Sequence, residues 1–236
     1  MSAPSLMDAL ADATKRAIDM DAPLGERLKL IADTVSSLSD VFAGAVDSFV
    51  GRLKSAGAGE FAPKRGERRA PFVVPNEQGK VVGLDSLLAK GPAAIVFLRG
   101  HWCPYCQLTA AALTQVQSRI AGTGGTVVVI TPEILPFTRA LRDQSQAAFP
   151  TLIDMDNGYA MSINLVIWVD ESMSGLIASA GWDVPKYQGN SSWMLPIPAS
   201  FVVNPRGEIV ARFVDPDYRK RMDLDELVNA LRGARG

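Results

Sequence analysis

Residues 97–107 read Phe-Leu-Arg-Gly-His-Trp-Cys-Pro-Tyr-Cys-Gln and contain both cysteines of the chain. An apolar run typical of a buried strand, residues 93–98, leads into this stretch, and helical spacing begins at Pro104. Cys103 therefore lies where a strand meets a helix, and the free N–H groups and dipole of that helix favour its thiolate. Cys106, one turn further on, is placed to attack a mixed disulfide or sulfenic acid formed at Cys103.

Two other interpretations of the cysteine pair are a zinc site and a pair of inert buried thiols. A closed structural zinc site needs four ligands, whereas the chain offers two cysteines and a single histidine, His101. A Cys-x-x-Cys pair at a strand-to-helix junction within an α/β pattern is typical of redox chemistry. The sequence therefore predicts a thiol site with no metal and no cofactor.

Four neighbours of the cysteines are candidate site residues. Arg99 follows the buried strand, and its guanidinium would point at a thiolate or a peroxide oxygen unless it is a surface charge. His101 would stabilise the thiolate or shuttle a proton, with a purely structural role as the alternative. Trp102 and Tyr105 would flank the sulfurs and shape a docking surface, or else they pack without touching the chemistry.

The bulk composition excludes several classes of protein. The chain has 236 residues, 25 acidic and 24 basic, with a formal net charge of −1. A nucleic-acid or anionic-membrane partner would require a basic face, so we expect neither. No signal peptide is visible at the N-terminus, and the apolar stretches fall short of the ~20 residues that cross a bilayer. We therefore expect a cytoplasmic protein, in a compartment that keeps thiols reduced.

The chain divides into a helical N-terminal arm, residues 1–58, and an α/β domain, residues 59–236. After Pro23, apolar residues recur in steps of four and three and predict one long amphipathic helix. This stripe consists of Leu24, Leu28, Ile31, Val35, Leu38, Phe42, Ala45 and Phe49. The stripe either packs on its own domain or joins two chains in a homodimer. From Pro71 onward, β-branched strands alternate with helices and end in an antiparallel pair, which predicts a layered α/β sheet.

Three segments resemble the peroxiredoxin-like branch of the thioredoxin superfamily, the alkyl hydroperoxide reductase/thiol-specific antioxidant (AhpC/TSA) family. They are residues 66–75 (Gly-Glu-Arg-Arg-Ala-Pro-Phe-Val-Val-Pro), residues 97–106, and residues 192–204 (Ser-Trp-Met-Leu-Pro-Ile-Pro-Ala-Ser-Phe-Val-Val-Asn). The resemblance implies a thioredoxin-like three-layer α/β sandwich with an N-terminal helical extension. It also implies that Pro198 is a cis proline against the cysteine pair, with an ordinary strand-entry proline as the alternative.

The same resemblance implies a thiol peroxidase. Cys103 would attack hydrogen peroxide or a small hydroperoxide, Cys106 would resolve the sulfenic acid, and a thioredoxin-like dithiol or glutathione would reduce the disulfide. True peroxiredoxins carry Thr or Ser three residues before the reactive cysteine and Pro four residues further back, where this chain has Gly100 and Val96. Two alternatives therefore stay open: a thiol–disulfide oxidoreductase, and a redox-sensing module whose helical arm binds a partner. Residues 170–188 are a candidate helical lid.

Overall fold

The computed structural model describes residues Ser5–Arg235 and begins with three helices. They are α1 (Leu6–Asp19), α2 (Leu24–Leu38) and α3 (Asp40–Ser55). The prediction of one long helix after Pro23 is wrong, because the chain breaks at Ser39, whose backbone is extended (φ −156°, ψ 99°). The Ser39 hydroxyl accepts the N–H of Phe42 at 3.1 Å and so caps the N-terminus of α3.

The apolar stripe of α2 and α3 packs against the rest of the chain. Leu28 and Ile31 of α2, and Phe49 of α3, are at most 3% exposed and join the same hydrophobic core as the central strands. Leu38 departs from this pattern, with 45% of its surface exposed. Most of the stripe is therefore covered within a single chain, whereas Leu38 is not.

Strands and further helices alternate after α3. The strands are β1 (Val73–Pro75), β2 (Val81–Gly83), β3 (Ala93–Phe97), β4 (Thr126–Thr131), β5 (Thr151–Ile153), β6 (Val166–Trp168), β7 (Met194–Pro196), β8 (Ala199–Val203) and β9 (Ile209–Val214). The helices are α4 (Leu84–Leu88), α5 (Pro104–Gln115), α6 (Gln117–Gly122), α7 (Leu135–Gln144), α8 (Gly158–Ser162), α9 (Glu171–Ser179), α10 (Val184–Gln188) and α11 (Leu224–Gly233). Within residues 5–235, no helix has the length and apolar character needed to cross a bilayer.

Five strands form the central sheet in the order β5-β4-β3-β8-β9. β3, β4 and β5 run parallel, whereas β8 pairs antiparallel with both β3 and β9. β3 and β8 are buried along their whole length, as expected for central strands covered on both faces. The α/β prediction is confirmed: the fold is a thioredoxin-like sandwich with an N-terminal helical extension, and β8–β9 is the terminal antiparallel pair.

The strand β3 leads directly into the cysteine pair. Its last residue is Phe97, and Cys103 is the N-cap of α5. Pro198 lies beside the end of β3, because the next residue, Ala199, pairs with Phe97. The expectation of a cis bond at Pro198 is wrong, since no peptide bond among the described residues is cis. Pro198 is a buried residue between β7 and β8. At this entry to a strand, a residue without a backbone N–H costs the sheet no hydrogen bond.

Removal of the Ser39 hydroxyl tests the break between α2 and α3. Ser39→Ala leaves the N–H of Phe42 without its acceptor and should lower the free energy of unfolding by about 1 kcal/mol, measured by urea denaturation. Ser37→Ala is the matched control, because the Ser37 hydroxyl donates to the Thr34 carbonyl inside α2 at 2.9 Å. Its loss should change stability by less than ~0.5 kcal/mol. Equal losses in both variants would show that Ser39 does not act as a cap.

Candidate active site

The two cysteines meet at the N-terminus of α5, where the sequence places them. Both are free thiols with 0% of their surface exposed. The backbone N–H of Cys106 donates to the Cys103 carbonyl at 2.9 Å, and the backbone N–H of Arg99 donates to the Cys106 sulfur at 3.3 Å. The sulfurs are therefore within reach of one another inside the protein, in a position where water does not compete.

Arg99 contacts the Cys103 sulfur. Its Nη2 donates to Cys103 Sγ at 3.2 Å, and only 5% of the residue is exposed. The guanidinium lies over the ring of Tyr218 at 3.7 Å and over that of Trp102 at 5.1 Å, so two aromatic rings fix its orientation. Tyr105 is also buried and meets Tyr218 edge-on at 5.5 Å. Arg99 is thus held with its charge directed at a sulfur.

A second arginine, Arg221, reaches the other sulfur and was not identified from the sequence. Its Nη2 lies 3.7 Å from Cys106 Sγ, while its Nη1 donates to the carbonyls of Tyr218 and Lys220 at 2.7 and 2.6 Å. Arg219, Lys220 and Arg221 are consecutive, and nothing in their spacing marks one as a neighbour of the cysteines. Arg219 forms ion pairs instead. Only the tertiary fold distinguishes Arg221 from its neighbours.

The surroundings shift the pKa values of the two thiols in opposite directions. Burial alone would raise the pKa of Cys103, but the hydrogen bond with Cys106 and the charges of Arg99 and Arg221 outweigh it and hold that pKa well below the ordinary thiol value. Burial, the hydrogen bond and the neighbouring thiolate raise the pKa of Cys106. The pair therefore favours a thiolate at Cys103, the nucleophilic form, and a protonated thiol at Cys106.

His101 contacts a buried carboxylate rather than the cysteines. Its Nδ1 lies 2.7 Å from Glu133 Oε1, and its backbone N–H donates to Glu133 Oε2 at 2.8 Å. The imidazole stacks on Phe137 and meets the edge of the Tyr187 ring. Burial raises the pKa of Glu133, although the hydrogen bonds from His101 oppose this shift. Within residues 5–235 no hydrogen bond joins His101 to a sulfur, so any action on Cys103 would be indirect.

Glu133 also explains why a glycine occupies position 100. Gly100 has φ +142°, and a Cβ built on it would lie 2.4 Å from the carboxyl group of Glu133. A threonine or serine at this position would therefore meet both backbone strain and the buried carboxylate. The Glu133 carboxyl group thus occupies the space that a side chain at position 100 would need.

A small cavity of about 30 Å³ lies beside Arg99. The N-terminal helices contribute Leu10, Val35 and Phe42 to its walls, the cysteine region contributes Arg99, Trp102, Pro104, Tyr105 and Tyr218, and the segment 170–188 contributes Met173, Ile177 and Trp182. One water molecule needs roughly 10–15 Å³ of such space, so the cavity has room for a molecule of two heavy atoms. The segment 170–188 and the helical extension therefore both cover the site.

The family model described as "AhpC/TSA family" matches residues 66–212. The chain belongs to the AhpC/TSA family. It is accordingly an enzyme of the thiol peroxidase/oxidoreductase type. The match begins after α3, so the three N-terminal helices lie outside the matched region. No curated protein matches the chain at a significant level.

Solved structures of peroxiredoxins share the fold of this AhpC/TSA protein. Peroxidoxin BcpB from Mycobacterium tuberculosis is 17% identical with a TM-score of 0.57, over 73% of this chain and 99% of its own. A peroxiredoxin-like protein from Aquifex aeolicus is 15% identical (TM-score 0.54), over 73% of this chain and 88% of its own. The bacterioferritin comigratory protein of Xanthomonas campestris, studied for alkyl peroxide reduction, is 12% identical (TM-score 0.52), over 70% of this chain and 92% of its own.

The influence of Arg99 on Cys103 is tested by the pH dependence of alkylation. A guanidinium beside a thiolate lowers its pKa, so Arg99→Gln should move the inflection of Cys103 alkylation by iodoacetamide to higher pH, by about 1 to 3 pH units. His101→Asn should leave the inflection in place, because His101 has no hydrogen bond to either sulfur. An inflection that moves in His101→Asn and stays fixed in Arg99→Gln would reverse this assignment.

The close approach of Gly100 and Glu133 is tested by a double-mutant cycle. Gly100→Ala should lower the free energy of unfolding by about 2 kcal/mol, because a side chain is strained at this φ and meets the carboxylate. Glu133→Ala in the same chain should recover the part due to the contact, so that the two changes are non-additive in urea denaturation. Strictly additive losses would assign the cost to backbone strain alone.

Proposed function

We propose that this AhpC/TSA protein reduces hydrogen peroxide or small organic hydroperoxides through Cys103 and Cys106. The main support for this proposal is the position of Arg99, which donates to the Cys103 sulfur at 3.2 Å and also lines a cavity of about 30 Å³. The buried Nε of Arg99 has no hydrogen-bond acceptor among the described residues. A peroxide in this cavity would supply that acceptor and would contact the same guanidinium that contacts the Cys103 sulfur.

The first step is attack of the Cys103 thiolate on one peroxide oxygen. A sulfur–oxygen bond forms and the oxygen–oxygen bond breaks, so Cys103 is oxidised to a sulfenic acid and the peroxide is reduced. The leaving hydroxide or alkoxide is released as water or an alcohol after it takes up one proton from the bulk solution, so this step consumes one proton. Negative charge moves from sulfur to the leaving oxygen during this step, and the fixed guanidinium of Arg99 is placed to stabilise it.

The second step is attack of Cys106 on the sulfenic sulfur. A disulfide bond forms, the sulfur–hydroxyl bond breaks, and the hydroxyl departs as water with the proton from the Cys106 thiol. The Cys106 thiol has a raised pKa, so its thiolate needs help as it forms. The Arg99 backbone N–H at 3.3 Å and Arg221 Nη2 at 3.7 Å both contact its sulfur and would supply that help. Thioredoxin or a similar dithiol, or glutathione, would then reduce the disulfide, which suits a cytosolic setting.

A thiol–disulfide oxidoreductase is the second candidate function. It is favoured by Cys103 at the helix N-cap with Cys106 one turn away, an arrangement that suits disulfide exchange. Complete burial of both sulfurs opposes it, because a protein disulfide must touch the attacking thiolate. In the redox-sensing alternative, the partner or a second copy would use exposed residues of the helical arm, such as Leu38 and Val41.

Single-turnover kinetics test the two-cysteine mechanism. Mixing reduced protein with hydrogen peroxide in a stopped-flow instrument should give a fast tryptophan fluorescence change, reported by Trp102, that disappears in Cys103→Ser. Cys106→Ser should react once and stall as the sulfenic acid, which a dimedone adduct of Cys103 would trap for mass spectrometry. Full turnover in Cys106→Ser would contradict the resolving role. A wild-type rate equal to that of a free thiol would favour the disulfide oxidoreductase.

A further inference from the structure

Four side chains lie between the cavity at Arg99 and a neighbouring groove, and we refer to them as the wall. An open groove of about 320 Å³ lies on the other side of this wall, beside His101. The residues that line both the cavity and the groove are Leu10, Trp102, Pro104 and Trp182. Because Cys103 has no exposed surface, a substrate must cross a boundary of this kind to reach it.

Three of the four wall residues are tied to the structure around the cysteines. Trp102 and Pro104 flank Cys103 in the chain, and the Trp102 ring packs on the Arg99 guanidinium. Trp182 packs against Trp102 with ring centroids 6.0 Å apart, and the Trp182 backbone N–H donates to the Ile177 carbonyl. Leu10 is the wall residue that α1 contributes, and α1 lies outside the matched family region.

The helix α1 is anchored at the end far from the wall. Arg27 donates to the carbonyls of Ala17 and Ile18 at 2.7 and 3.0 Å, and Gln115 donates to the Ile18 carbonyl at 2.9 Å. Within residues 5–235, these are the hydrogen bonds that join α1 to other elements. They satisfy carbonyls that a helix C-terminus leaves without partners.

The other end of α1 is held by apolar contacts. The Met7 side chain occupies the space beside Gly181, where an added Cβ would lie 2.6 Å from Met7 Cε. Leu10, one turn further along, closes the wall. Such contacts are non-directional and separate without breaking hydrogen bonds. An outward tilt of α1 about its Arg27 anchor would therefore connect the groove with the cavity.

We infer that Leu10 is a specificity-determining gate residue, which lets small hydroperoxides pass to Cys103 and hinders those with bulky alkyl groups. The inference rests on the proposed peroxidase function and deepens it by naming the part of the chain that selects the substrate. A two-oxygen molecule fits the cavity with the wall closed, whereas a bulky group needs the space that Leu10 occupies.

Truncation of Leu10 tests the gate. Leu28→Ala is the matched control, because Leu28 is a leucine of the same exposure, 3%, on α2, and lines neither the cavity nor the groove. The single-turnover rate constants for cumene hydroperoxide and hydrogen peroxide are measured in each variant. Their ratio should rise about tenfold in Leu10→Ala and less than about twofold in Leu28→Ala. Leu10→Val, a milder truncation, should give an intermediate ratio.

A second readout separates failure of the gate from failure of the peroxidase. Alkylation of Cys103 by iodoacetamide and by the bulkier N-phenylmaleimide, followed by peptide mass spectrometry, measures access without any peroxide. The maleimide-to-iodoacetamide ratio should rise in Leu10→Ala alone. An unchanged ratio, or an equal rise in Leu28→Ala, would overturn the gate. If every variant reacts slowly with peroxide and the maleimide-to-iodoacetamide ratio rises only in Leu10→Ala, the proposed peroxidase function is wrong. In that case the result still supports Leu10 as the residue that limits access to Cys103.

Discussion

The Cys103 sulfur, buried against the guanidinium of Arg99, is the constraint on which the rest of the structure depends. A charge with no exposed surface costs several kcal/mol unless nearby groups compensate it. Arg99 and Arg221 do so from two separate loops, one after β3 and the other between β9 and α11. Each guanidinium is itself held in place, Arg99 by two aromatic rings and Arg221 by two carbonyls. The folding of both loops onto the start of α5 is thus coupled to the charge state of one sulfur.

The N-terminal helices belong to this arrangement and are more than an appended arm. Their apolar side chains complete the cavity beside Arg99, although they lie outside the matched family region. Excluding water strengthens the interaction between the guanidinium groups and the thiolate, because the local dielectric constant is lower. The same covering limits what can approach the sulfur. Reactivity and restricted access are therefore two results of one packing arrangement.

Features governed by local sequence were predictable. The helix start at Pro104 and the β8–β9 pair follow from short-range patterns, and both are present. The β6–β7 pair was missed, because two helices separate its short strands and no turn signal joins them. The break at Ser39 was also missed, since the apolar period continues across it.

Partners brought in by tertiary folding were not predictable from one sequence. Arg221 and Cys106 are 115 residues apart, and Glu133 is 32 residues from His101. No periodicity or spacing connects such pairs. Arg99 was identified because it lies within the cysteine motif, whereas the expected approach of His101 to the sulfur did not allow for a buried carboxylate arriving from the loop after β4.

The contact between Gly100 and Glu133 also limits how a lineage carrying this site can diverge. A hydroxyl at position 100 would meet the carboxylate if Glu133 were kept. Loss of Glu133 beforehand would leave the backbone N–H of His101 without its acceptor. Either single step passes through a less stable protein, so the two substitutions are accessible mainly together.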